Sequence, residues 1–151
     1  MNATLERRHG SGNSELRRID PRALSEAGAI QTDFLQIHRA LHHMSQILMH
    51  GHNGLVELPF ALNNVVRLGN ALRYSHTFNS NHILDEVLQL GASLKEFENS
   101  FQQNLFTKDF EVKNTFNHSI IDRYNKLVDV LKLAFKSVRL GFHFEHMPHI
   151  G

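Results

Sequence analysis

His38 and His42, His82 and Glu86, and His118 and Asp122 each stand four residues apart. On a helix that spacing puts both side chains on one face, where imidazole and carboxylate chelate a divalent metal. Twelve histidines in 151 residues make imidazole the one compositional excess. A four-helix bundle with such ligands is the layout of di-iron carboxylate proteins and of hemerythrin-like oxygen carriers. The apolar stripes place most of these groups outward instead. With Phe34 and Leu41 at heptad position a, His38 falls at e and His42 at b. By the stripes of their own helices, His82 falls at c, Glu86 at g, His118 at b and Asp122 at f. The helical segments also hold no Glu-x-x-His pair of the kind di-iron bundles use. Four of the six are therefore expected on the solvated face, with His38 and Glu86 flanking the stripe.

The C-terminal segment Gly141–Gly151 concentrates the remaining chemistry. His143, His146 and His149 recur at every third residue, with Glu145 among them. Neutral imidazoles suit Zn, Ni or Cu, so a His-dependent metal protein is one functional reading. Interleaved with them are Phe142, Phe144, Met147 and Ile150. These are the expected anchors for a protein partner, since large apolar side chains dominate interface energetics. The competing expectation is that they dock the tail on its own domain. His76 extends the second apolar stripe and is expected to be half-buried near a helix end, bonded to a backbone carbonyl.

Six residues separate Arg139 from His146. The spacing resembles the Arg…His signature of the HEPN superfamily, helical-bundle proteins that include metal-independent RNases. The resemblance implies that Arg139 would stabilise phosphate charge and His146 would move a proton. It covers these two positions only. Leu140 stands where a polar residue commonly follows the Arg, and Gly141 interrupts the helix. The chain has no phosphate-binding Gly-rich loop, no Gly-x-Ser-x-Gly elbow and no His-Glu-x-x-His helix.

Whatever these groups do, amphipathic helices must position them. Asp20-Pro21 reads as a helix start, a cap followed by proline at the first position. A short helix over 21–27 is expected, continuing past Gly28 or bending there. Ile30, Phe34, Ile37, Leu41, Met44 and Leu48 then alternate spacings of four and three. The second stripe is Leu58, Leu62, Val65, Gly69 and Leu72, widened by Val66 and Leu68, with Gly69 placed for close helix approach. The third helix, about 82–105, carries Ile83, Val87, Leu90, Leu94, Phe97 and Phe101. Thr107 or Asp109 caps the fourth, which carries Phe116, Ile120, Tyr124, Leu127, Leu131, Ala134 and Val138 and ends at Gly141. Phe135 and Val128 widen its face. No strand-like alternation of useful length occurs. The economical way to bury four such stripes is an antiparallel up-down four-helix bundle. Residues 82–105 hold four acids against one Lys, and 107–140 hold seven cations against four acids. That asymmetry fits an antiparallel charged pair and, equally, two separately solvated faces.

The domain organisation follows: a flexible polar N-terminal tail over 1–19, a helical domain over 20–140, and an aromatic, His-rich tail over 141–151. Sixteen Lys and Arg against fifteen Asp and Glu do not describe a dedicated nucleic-acid or membrane-surface binder. The absence of cysteine excludes disulfides, thiolate metal sites and cysteine nucleophiles. No apolar run approaches the ~18–20 residues that span a bilayer. A soluble chain made in the cytoplasm is expected, and a polar N-terminus ahead of a small helical domain resembles bacterial secreted effectors in layout. The functional expectation is a non-enzymatic protein–protein interaction or adaptor module, with self-association favoured if Leu84, Leu105, Ile121 and Val128 exceed what one bundle buries.

Overall fold

The computed structural model describes residues 19–49, 55–103, 109–141, 144 and 147–151. Expectations for the N-terminal tail, Leu105, Thr107, Phe142, His143, Glu145 and His146 lie outside those residues. The chain is all-α: α1 (Pro21–Met49), a 3-10 turn (Leu55–Glu57), α2 (Leu58–Arg73), α3 (Asn81–Gln102), α4 (Asp109–Thr115) and α5 (Asp122–Ser137). A π-helical stretch, Phe116–Ile121, joins α4 to α5. Four helical rods pack as a bundle, α1 on α2, α2 on α3, and α3 on α5, with α4 and the π stretch against α1.

The first stripe is buried throughout, from Ile30 to Leu48. Gly28 neither ends nor separates the N-terminal turn: α1 is continuous, and a Cβ at Gly28 would meet nothing within 4 Å. In α2 the expected stripe is buried at Leu58, Val65, Leu68, Gly69 and Leu72, and the widening position Val66 is where it departs. Ala61 and Leu68 are buried beside Leu58, Val65 and Leu72, while Val66 is 61% exposed. Gly69 is not what permits the close approach, because a Cβ there would meet Val87 Cγ1 at an ordinary 3.8 Å. Gly91 on α3 permits it: its Cβ would lie 3.3 Å from Val65 Cγ1. Ile121 and Val128 are buried within this one domain, so they are not surplus surface for self-association.

The π stretch has a geometric reason. Phe116, Ile120 and Tyr124 are each four residues apart and all buried. On an ordinary helix of 3.6 residues per turn, a four-residue step drifts by about 40°. A wider turn removes part of that drift and keeps the three side chains on one core line. Ser119 contributes by donating its hydroxyl to the Thr115 carbonyl at 2.5 Å.

Helix α5 ends at Ser137, four residues before Gly141. Arg139 adopts φ 65°. Leu140 N–H donates to the Phe135 carbonyl at 2.8 Å, and Arg139 N–H to that of Lys136 at 3.1 Å. This is the Schellman arrangement with an arginine in the left-handed position that glycine normally fills. Burial of Leu140 against the core, beside the equally buried Phe135, outweighs the strain. Arg139→Gly is expected to raise stability by about 1 kcal/mol, the left-handed penalty of a side chain. Urea titration checks this, and an unchanged or lowered midpoint would mean the guanidinium is itself held.

Candidate functional site

The tail is part of the core. Phe144 is fully buried, and Met147 and Ile150 are nearly so. Phe144 lies edge-on to Phe135 at a 4.5 Å centroid distance and 5.2 Å from Phe34. Asn125 on α5 clasps the chain end: its amide donates to the Ile150 carbonyl at 2.8 Å and accepts from the Ile150 N–H at 2.9 Å. His149 Nε2 lies 2.7 Å from Asp129 Oδ1. The expectation of Phe144, Met147 and Ile150 as partner anchors is therefore corrected, because the bundle itself consumes their apolar surface. The docked alternative is the one observed. Asn125 carried no signal in the sequence, since a lone polar residue beside a core stripe reads as ordinary surface.

The expected metal ligands are dispersed. His118 lies 3.6 Å from Asp122, both on the surface. His82 is exposed, while its neighbour Glu86 is only 4% exposed and directs Oε2 to Lys126 Nζ at 3.1 Å. His38 and His42 stack with ring centroids 6.1 Å apart. The Nδ1 of His38 is already taken by the Tyr124 hydroxyl at 2.5 Å. Burial, with His42 alongside, holds His38 below the ordinary imidazole range. Burial also pushes the Tyr124 phenol up. The pair is a neutral hydrogen bond sealing the edge of the core. Among the described residues, no three His, Asp or Glu side chains gather as a metal site. Arg139 is exposed at the helix end. Its proposed companion His146, and two of the three tail histidines, lie outside the described residues.

Two further polar clusters hold helices together. Glu86 with Lys126, and Gln89 with Arg123 at 2.5 Å, bridge α3 and α5 in antiparallel order. This is the charged pairing that the asymmetry of the two segments suggested. Glu86 Oε1 is buried without a partner. On α1, Glu26 accepts hydrogen bonds from the Ser75 hydroxyl at 3.0 Å, the His76 N–H at 2.8 Å and the Thr77 N–H at 3.2 Å. Here His76 departs from expectation. Its ring is exposed and its backbone N–H does the binding, while Phe78 turns into the core.

Burial raises the Glu26 carboxyl, but the loop hydrogen bonds outweigh it and leave the group below its ordinary value. Its stabilisation is therefore full above the unfolded carboxylate range and is lost as pH falls through the folded value. His38 acts at higher pH: its lowered value means stability declines as pH falls from the ordinary imidazole range near 6.5. Glu26→Gln is expected to flatten the acid limb of the stability profile by about 1 kcal/mol, a screened charge-assisted hydrogen bond. Unfolding titrations between pH 3 and 5 read this. An unaltered acid limb would remove Glu26 from the account.

The surface feature that stands apart is a cleft between α2 and α3 of about 360 Å³. Its size is within the range of ligand and anchor pockets. Val65, Gly69, Val87 and Gly91 form the floor, where glycine leaves room. Leu62, Val66, Leu88 and Ala92 form the walls, and Val66 and Leu88 are 61% and 53% exposed. Arg73 and Lys95 line the ends, with Asn70 beside the former. The groove opens where Val66, expected to widen the buried stripe, faces out instead. Sequence reasoning missed it, although Val66 and Leu88 beside Gly69 and Gly91 were the available signal.

No family model, no curated protein and no solved structure matches this chain.

Proposed function

We propose that this chain is a protein–protein interaction module whose docking surface is the α2–α3 groove. One observation carries the reading: exposed Val66 and Leu88 line a concave apolar cleft rather than a convex surface. Apolar side chains half or more exposed around a concave floor are the form that interface anchors fill. The helix-in-groove mode of recognition fits a cleft between two antiparallel helices. The tail, by contrast, serves the fold.

The test is a selection of displayed helical peptides against the wild-type chain, with counterselection against Val66→Glu/Leu88→Glu. Clones that bind the first and not the second support the reading. If no clone distinguishes the two proteins, the groove is not a docking surface.

A further inference from the structure

We propose that the groove takes an amphipathic helix whose apolar face is flanked at both ends by acidic residues; this rests on the reading of the groove as a docking surface. The charge of the cleft is one-signed along its length. Among the described residues its charged lining is Arg73 and Lys95, and no Asp or Glu lines it. The two sit at opposite ends. Gly69 packs toward Val87 and Gly91 toward Val65, so α2 and α3 run antiparallel. Arg73 at the C-terminal end of α2 is then far from Lys95, which lies level with the start of α2. From Leu62 to Arg73 is about 16 Å at the helical rise, some three turns of a docked helix.

Arg67, also on α2, is turned to Asp33 of α1 at 3.6 Å and does not line the cleft. Glu98 approaches Lys95 only at 4.0 Å, from outside the lining. An acid at each end of an incoming apolar face meets one of these cations, and a basic helix meets repulsion at both. The same arrangement disfavours a second copy of this chain. A two-fold pairing of the groove with itself brings cation against cation.

The glycine floor sets the depth. A Cβ at Gly91 would lie 3.3 Å from Val65 Cγ1, so a side chain there would crowd the floor. Leucine-sized side chains three or four residues apart on the incoming helix fit a floor lined by Val65, Gly69, Val87 and Gly91.

The probe is a fluorescein-labelled 16-residue helical peptide with Leu along one face and Glu at both ends of that face. A matched peptide carries Lys in place of Glu. Fluorescence polarisation with the full chain should show the Glu peptide binding at least tenfold tighter than the Lys peptide. Arg73→Glu/Lys95→Glu should invert that order, with helicity by circular dichroism unchanged. Equal binding of the two peptides, or an order that survives the charge reversal, overturns the acidic-flank proposal and leaves the docking reading standing. Binding of neither peptide overturns it also, and the displayed-peptide selection then decides whether the groove docks anything. A concentration-dependent dimer in sedimentation velocity, abolished by Leu88→Glu, would give the groove to a second copy and likewise overturn the proposal.

Discussion

Phe144→Ala is expected to destabilise the chain by about 3–5 kcal/mol, the cost of removing a fully buried aromatic ring and leaving its cavity. The ring contacts Phe34 and Phe135 and is itself fully buried, so no surface collapse can refill the space. For a chain of this length that loss lowers the melting temperature by roughly 10 °C. Asn125→Ala tests the same clasp from the other side. It removes both hydrogen bonds to Ile150 and should cost about 1–3 kcal/mol. Thermal denaturation of the two variants reads both. A loss under about 1 kcal/mol for Phe144→Ala would mean that the tail rests on the bundle without contributing to its core. The result matters for function, because deleting residues 141–151 would damage the fold and could not cleanly separate a binding role from a structural one.

Val66→Glu/Leu88→Glu is expected to do the opposite: abolish binding and leave the fold intact. Each side chain is more than half exposed, so its replacement should alter unfolding free energy by no more than about 0.5 kcal/mol. Each also stands at the lip of the cleft, where truncating an anchor typically costs about 2 kcal/mol. Two such losses, with buried carboxylates added, amount to more than a hundredfold in affinity. Titration calorimetry with any peptide selected on the wild type measures the change directly. Retained affinity would place the docking face elsewhere.

The architecture was legible because the apolar spacing was. Ile30 through Leu48 on α1, and Ile83 through Phe97 on α3, are buried as their three- and four-residue steps require. The charge asymmetry of the third and fourth helical segments also met in space, as Glu86 with Lys126. What spacing could not resolve was rotation. Whether Val66 or Ala61 widens the inward face of α2 depends on where α3 lies, which is a property of the packed pair. The groove depends on that choice: Val66 and Leu88 beside Gly69 and Gly91 were its signal, but periodicity alone does not say that they face out.

The helix end shows a second limit. Gly141 is the residue that composition marks as the stop, yet Arg139 takes the left-handed position because Leu140 gains burial there. Local propensity lost to tertiary packing. The tail shows a third. Phe144, Met147 and Ile150 are apolar enough either to bind a partner or to complete a core, and periodicity does not choose between the two. The histidines were the most conspicuous signal and, where described, they hold the least chemistry: His38 bonds Tyr124, His149 bonds Asp129, and His76 and His82 face solvent. Their excess has no structural account among the described residues.

The most direct test places a photo-crosslinking amino acid at Leu88 and, separately, at Leu133, which is 70% exposed on α5 away from the cleft. Irradiation in cells that naturally produce the chain, followed by mass spectrometry of the adducts, compares the two positions. The groove account requires a discrete protein adduct from position 88 that position 133 does not give. No adduct at position 88, or the same adducts at both positions, would contradict it.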